Sequence, residues 1–255
     1  MSFDVSADAY GEFVGRYSEP LATAFAALVG AAPGQRALDV GCGPGALTAV
    51  LVRRLGAPSV TAVDPSPSFV SAARHRLPDV RIEPAAAEQL PFADDSFDLT
   101  LAQLVVHFMT APAAGIGEMA RVTRPGGLVA ACVWDHAGER APLSTFWRAA
   151  RDLDPGVHDE SALPGAREGH LVELFGQAGL DQASQSTLTV QASFADVDAW
   201  WHPFTLGVGP AGAYVATLDP GRRDALRHRC VQLLPTGPFQ VEANAWVAVA
   251  RTARG

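Results

Sequence analysis

Residues 38–45 read LDVGCGPG, and the fold is decided there. Gly41, Gly43 and Gly45 part an apolar strand-like run, 35–40, from a helical stretch, 45–55. Glycine has no Cβ, so a ligand can come close to the backbone, and positive φ angles cost little. Pro44 suits a first helical position. A ligand at such a turn meets the N–H groups of the helix N-terminus. In open α/β sheets this strand end is where ligands dock.

The spacing does not choose the ligand. Residues 41–46, GCGPGA, also satisfy the dinucleotide pattern G-x-G-x-x-G/A. Asp64 closes the next strand-like run about 20 residues on, where an acid takes the ribose hydroxyls of either kind of adenosine cofactor. The alternative for Asp64 is a turn-forming residue before Pro65.

Outward from the loop, strand-like and helical stretches alternate, the pattern of a mostly parallel sheet with helices on both faces. Strands are expected at 35–40, 59–64, 80–84, 97–103, 128–134, 187–191 and 241–251. LVAACVW at 128–134 is apolar throughout, as a strand buried on both faces would be. Helices are expected after Pro65 and at 112–122, the latter stopped by an RPGG turn at 124–127, and at 170–180 with Gly179 as a left-handed stop. Residues 8–31 read as a helical lid, divided at Pro20 with Ser18 capping the second part. The segment 193–236 is too long for a plain loop and reads as a helical cap over the strand ends. The expected organisation is one domain over 1–255: a lid at 1–31, a cofactor-binding core at 32–192 and 237–255, and a substrate cap at 193–236.

Composition narrows the function. The net charge of −8 argues against a nucleic-acid partner, which needs a dense Lys/Arg surface. The three cysteines, Cys42, Cys132 and Cys230, show no C-x-x-C or paired spacing, which fits a reducing cytoplasm and no zinc or disulfide framework. The stretch MSFDVSADAY lacks the basic start and apolar run of a signal peptide. No apolar run approaches a membrane span. Asp94, Asp95 and Asp98 read as the turn before the fourth strand rather than as metal ligands, since no His or further acid lies near with ligand spacing.

Four stretches in order carry a resemblance: LDVGCGPG; AVDPSPSFV at 62–70; AAAEQLPFADDSFDLTLAQLVVHFM at 85–109; and RVTRPGGLVAACVW at 121–134. Together they resemble the class I S-adenosylmethionine-dependent methyltransferases, and most closely the branch with the ubiquinone and menaquinone C-methyltransferases. The resemblance implies a doubly wound, Rossmann-like, seven-stranded sheet and S-adenosylmethionine as cofactor. It implies that Asp39 orients the cofactor's ammonium, and that Gly41, Cys42 and Gly43 lie against its methionine part and ribose. Asp64 would accept from both ribose hydroxyls, Pro65 and Ser66 would flank adenine, and Ala87 N–H would meet an adenine ring nitrogen. Gln103 would face the methionine part and the methyl group. Where the family commonly reads G-D-A-E, this chain has Ala85-Ala86-Ala87-Glu88, so the acid for the adenine amino group is missing at Ala86. Glu88 is a ligand or a structural cap.

Methyl transfer is an in-line displacement, and much of its catalysis comes from holding the nucleophile close and aligned. A base is needed only where the acceptor must lose a proton. His107, after the fourth strand, and His202 are the candidate bases, with His136 a weaker one. Arg16 would pair with the methionine carboxylate as a guanidinium fork, and Tyr17 would close the pocket. Trp200, Trp201 and Phe204 would line an apolar acceptor site. The acceptor is then a small, fairly apolar molecule methylated at O, N or C by a cytoplasmic monomer or homodimer. Two rivals stand beside this reading. One is a nicotinamide-dependent oxidoreductase on the same loop, although the chain contains no lysine and hence no Tyr-x-x-x-Lys pair. The other is a non-catalytic cofactor-binding protein, suggested by Ala86.

Overall fold

A computed structural model describes residues 15–253. Its first helix, α1 (Arg16–Leu28), runs unbroken through Pro20. Pro20 is the fifth residue of that helix, just past the N–H groups that have no helical partner, so the helix forgoes a single backbone bond there and continues. Ser18 is therefore not a cap but a buried residue inside the helix. The part of the lid before residue 15 lies outside the described residues.

The remaining elements follow in order: β1 (Ala37–Val40), α2 (Ala46–Leu55), β2 (Val60–Asp64), α3 (Pro67–Arg76), β3 (Arg81–Pro84), β4 (Phe97–Gln103) and α4 (Pro112–Val122). Then come β5 (Thr123–Trp134), α5 (Ser144–Leu153), α6 (His170–Gln177), β6 (Ser184–Phe194), α7 (Val197–Trp201), α8 (Gly209–Thr217), α9 (Pro220–Leu233) and β7 (Phe239–Arg251). The seven strands form one sheet in the order β3-β2-β1-β4-β5-β7-β6. The pairs from β3 to β5 are parallel, and β7 is antiparallel to both β5 and β6. The winding reverses between β1 and β4, which opens a crevice at their C-terminal ends.

Alternation along the strands feeds two apolar layers. Leu128, Ala130 and Cys132 of β5 face a layer with Leu21 and Phe25 of α1 and Val50 and Leu51 of α2. Val129, Ala131 and Val133 face the other layer, with Ile116 and Met119 of α4 and Leu171 and Phe175 of α6. Full burial of side chains such as Phe25 or Leu51 stabilises by about 1.5–3 kcal/mol each.

Three local expectations are corrected. RPGG is not a turn: β5 already starts at Thr123, and its register against β4 shifts between Phe97 and Leu99. Gly127 is required there, because a Cβ would lie 2.8 Å from the Arg124 carbonyl oxygen and 3.0 Å from that of Asp98. Pro44 precedes α2 by two residues and sits in a turn closed by Gly45 N–H donating to the Cys42 carbonyl at 2.9 Å. Helix α5 was not anticipated. It packs against α9, so the segment 193–236 rests on an insert that follows β5.

The expectations at β4, α4 and Gly179 agree with the structure: β4 spans 97–103, α4 spans 112–122, and Gly179 has φ 83°. Of the acidic residues expected in the turn before β4, Asp94 and Asp95 stand in it, while Asp98 lies on β4 itself. Asp98 accepts from Arg36 N–H at 2.6 Å and pairs with Arg124, while Asp94 pairs with Arg121. Among the described residues no group of three or more His, Cys, Asp or Glu side chains is arranged to hold a metal, and no helix is long and apolar enough to cross a membrane.

Candidate active site

The glycine loop is held by its neighbours rather than by its own turn alone. Gly41 and Cys42 N–H donate to the Val63 carbonyl at the end of β2, at 2.8 and 2.9 Å. Gly43 N–H donates to Asp64 Oδ2 at 2.8 Å, and Ser66 N–H to Asp64 Oδ1 at 2.8 Å. Asp64 therefore splints the loop while each oxygen keeps a further lone pair for a ligand. Burial raises its pKa, and the two N–H groups oppose that rise. Gly41 has φ 70°, and a Cβ there would lie 2.3 Å from Val105 Cγ2. No other residue fits.

Beside this loop lies a cavity of about 600 Å³ at the β1–β4 crevice, within the usual size of a cofactor site. Gly41, Cys42 and Gly43 line it on one side and Asp64, Pro65 and Ser66 on another. Ala86, Ala87 and Glu88 close a third side, with Gln103 at the end of β4. Of the twelve residues expected at the cofactor, these ten share one cavity. Sequence reasoning missed Ser18, Phe69, Val105, Phe108, Met109 and Thr110, which also line it. Only Val105–Met109 had a signal, since they follow directly on β4.

Glu88 acts as a structural tie as well as a wall. Its Oε1 accepts from Thr110 N–H at 2.8 Å and Ala111 N–H at 3.1 Å, fixing the entry to α4. Ala86 offers no carboxylate beside it.

Asp39 is fully buried behind the loop. Its Oδ2 accepts from the Thr48 hydroxyl at 2.6 Å, and its Oδ1 has no partner among the described residues. Burial pushes its carboxyl up to about 7, with the nearby Asp64 adding to the rise. Gln103 Nε2 donates to the Ser18 carbonyl at 3.0 Å, tying α1 over the cavity, and its Oε1 is likewise buried and unpartnered. A buried orphan acceptor costs about 1–3 kcal/mol, so these two atoms are poised for a donor that the described residues do not supply. A cationic, hydroxyl-bearing cofactor would bring the donors that these two acceptors lack.

The other expected residues are not at the cavity wall. Arg16 donates to the Ser193 carbonyl at 3.4 Å and lies 5.2 Å over the Phe194 ring, away from the loop. Tyr17 packs edge-on to Trp134 at 6.3 Å, its hydroxyl buried without a partner among the described residues. Trp200, Trp201 and Phe204 are buried inside the cap. Phe204 stacks on Phe146 of α5 at 4.6 Å, with Trp200 at 4.7 Å and Trp201 at 5.9 Å from Phe204. His202 is exposed on that cap. His107 is buried directly behind the Phe108 ring, 3.9 Å between centres.

The site can be set beside known proteins. A family model described as a methyltransferase domain matches residues 38–131. An uncharacterized methyltransferase of Mycobacterium tuberculosis is 39% identical over 137 residues, 52% of this chain and 54% of that protein. The demethylmenaquinone methyltransferase of Beutenbergia cavernae is 38% identical over 99 residues, 39% of this chain and 40% of its own. The matched stretch thus spans about half the length of these curated relatives or less. In fold, the phosphoethanolamine N-methyltransferase 2 of Haemonchus contortus, solved with S-adenosylhomocysteine, aligns over 97% of this chain and 57% of that one, with TM-score 0.59 and 15% identity. The matched stretch runs from the glycine loop through β4 to the middle of β5, and over these residues the chain is similar to a methyltransferase domain.

Proposed function

We propose that the protein binds S-adenosylmethionine in the 600 Å³ cavity and transfers its methyl group to an O, N or C atom of a small, fairly apolar molecule. The observation that carries this is the meeting of ten family-motif residues at one crevice, with two orphaned acceptors beside it. When bound, the cofactor supplies an electrophilic methyl on a positively charged sulfur.

The protein's own residues do the rest by holding and excluding. Asp64 keeps the loop in shape and offers its free lone pairs to ribose hydroxyls. Asp39 Oδ1 and Gln103 Oε1 receive the donors of the methionine part. Ala87 offers backbone to adenine, whose amino group has no carboxylate at Ala86. Helix α1, tied through Ser18 to Gln103, covers the cavity and keeps water out, which strengthens every charge interaction within. The acceptor is held against Val105, Phe108 and Met109, and the cap bounds its size. The cytoplasm is the proposed location.

Calorimetric titration with S-adenosylhomocysteine, with NAD as the parallel arm, tests the reading. Saturable binding of the first alone is expected, with a rise in melting temperature near saturation. Binding of NAD, or of neither, would overturn it.

A further inference from the structure

The inward stripe of helix α1 ends on a polar residue. Leu21, Ala22 and Phe25 are fully buried in the core. Ser18 stands three, four and seven residues before them, on the same side of the helix. It is 5% exposed, yet it lines the cavity instead of the core. Its backbone is held in place, since its carbonyl accepts from Gln103 Nε2 at 3.0 Å. Its hydroxyl bonds to none of the described residues, and so is open to the cavity.

Other donors near it are already engaged. Gly41 and Cys42 N–H donate to the Val63 carbonyl, Gly43 N–H to Asp64, and Gly45 N–H to the Cys42 carbonyl. The Ser66 and Ser68 hydroxyls bond to each other at 2.9 Å, beyond Asp64. Among the described residues no Arg or His side chain lines the cavity. Residues 1–14 contain no Arg, His or Lys. Arg16, which has the chemistry to hold a carboxylate, turns instead to Ser193 and Phe194.

We infer that the Ser18 hydroxyl binds the carboxylate of the cofactor's methionine part. The inference rests on the S-adenosylmethionine reading and adds a residue to that site. The ammonium and the carboxylate of methionine leave the same carbon, so placing one places the other. With the ammonium at Asp39 Oδ1 and Gln103 Oε1, the carboxylate comes within reach of the residue that Gln103 touches, which is Ser18. The charges run the same way. The acid, Asp39, draws the cationic group to its side, and the anion is left to the neutral donor opposite. A hydroxyl bonded to a carboxylate makes a short, charge-assisted bond. The helix that covers the cavity therefore grips the cofactor itself, through the amino-acid part and not through the nucleoside.

Calorimetric titration of two nucleosides tests this by binding alone. S-adenosylhomocysteine carries the carboxylate. 5′-Methylthioadenosine has the same adenosine and sulfur but no amino-acid part. Ser18→Ala keeps a good helix former in α1. It should weaken S-adenosylhomocysteine about tenfold or more, the loss of one hydrogen bond to a charged group. It should leave 5′-methylthioadenosine unchanged. An equal loss for both ligands, which a merely structural role in α1 would give, overturns the assignment. So does an unchanged affinity for S-adenosylhomocysteine. Binding of neither nucleoside to the unmodified protein refutes the cofactor reading itself, and the assignment with it.

Discussion

Replacing Asp39 by asparagine barely changes the side chain's volume and removes its charge. The amide oxygen can still accept from Thr48, whose hydroxyl is 2.6 Å from Asp39 Oδ2. What changes is the proton balance. The carboxyl ionises near 3.8 in the unfolded chain and near 7 in the fold, because burial disfavours the anion. Between those values the folded state binds more protons than the unfolded one, so stability falls as pH rises. One pKa unit corresponds to about 1.4 kcal/mol. From about pH 5.5 to the folded pKa the loss is therefore about 2 kcal/mol, and above that it levels off. The asparagine does not titrate. The stability of the variant relative to the unmodified protein should rise by about 2 kcal/mol between about pH 5.5 and pH 8. Urea unfolding at several pH values reads this directly, provided the denaturant slope is the same for both proteins. S-adenosylhomocysteine should bind the variant more weakly above neutrality, because a buried counter-charge is gone. A stability difference that is constant across the pH range would refute the reasoning.

Gly41→Ala should destabilise by about 2–4 kcal/mol, combining a positive φ with a Cβ driven into Val105; an unchanged urea midpoint would contradict this. Phe146→Ala should cost about 3–5 kcal/mol, since the ring is fully buried against Phe204. Cofactor affinity in that variant should change little, as Phe146 does not line the cavity; a tenfold loss in calorimetry would place the cap on the cofactor instead.

Where a residue's role follows from its neighbours in the chain, the sequence was readable. β4 and α4 are bounded by local signals, and the glycine loop by its spacing. Asp64 stood out because the strand before it and the proline after it fix its place. Roles that depend on partners far along the chain were not readable. Trp200, Trp201 and Phe204 look like an acceptor wall because nothing near them says that Phe146 fills their inner face. Arg16 has the right chemistry for a carboxylate, yet the neighbouring β6 gives it Phe194 and the Ser193 carbonyl. Glu160 sits in a loop without periodicity, and only the fold brings His136 beside it. RPGG has turn composition, but pairing with β4 draws it into a strand with a register shift.

The placement of β7 between β5 and β6 has a consequence for synthesis. β5 leaves the ribosome with one apolar edge open, and its partner there begins only at Phe239. α5, α6, β6 and the helices from Val197 to Leu233 all emerge in between. During that interval an unpaired, buried-type strand is exposed to other nascent chains, which is the usual route to edge-to-edge aggregation. Chaperone dependence at slow translation should therefore concentrate on chains halted between Trp134 and Phe239, and ease once β7 can pair with both β5 and β6.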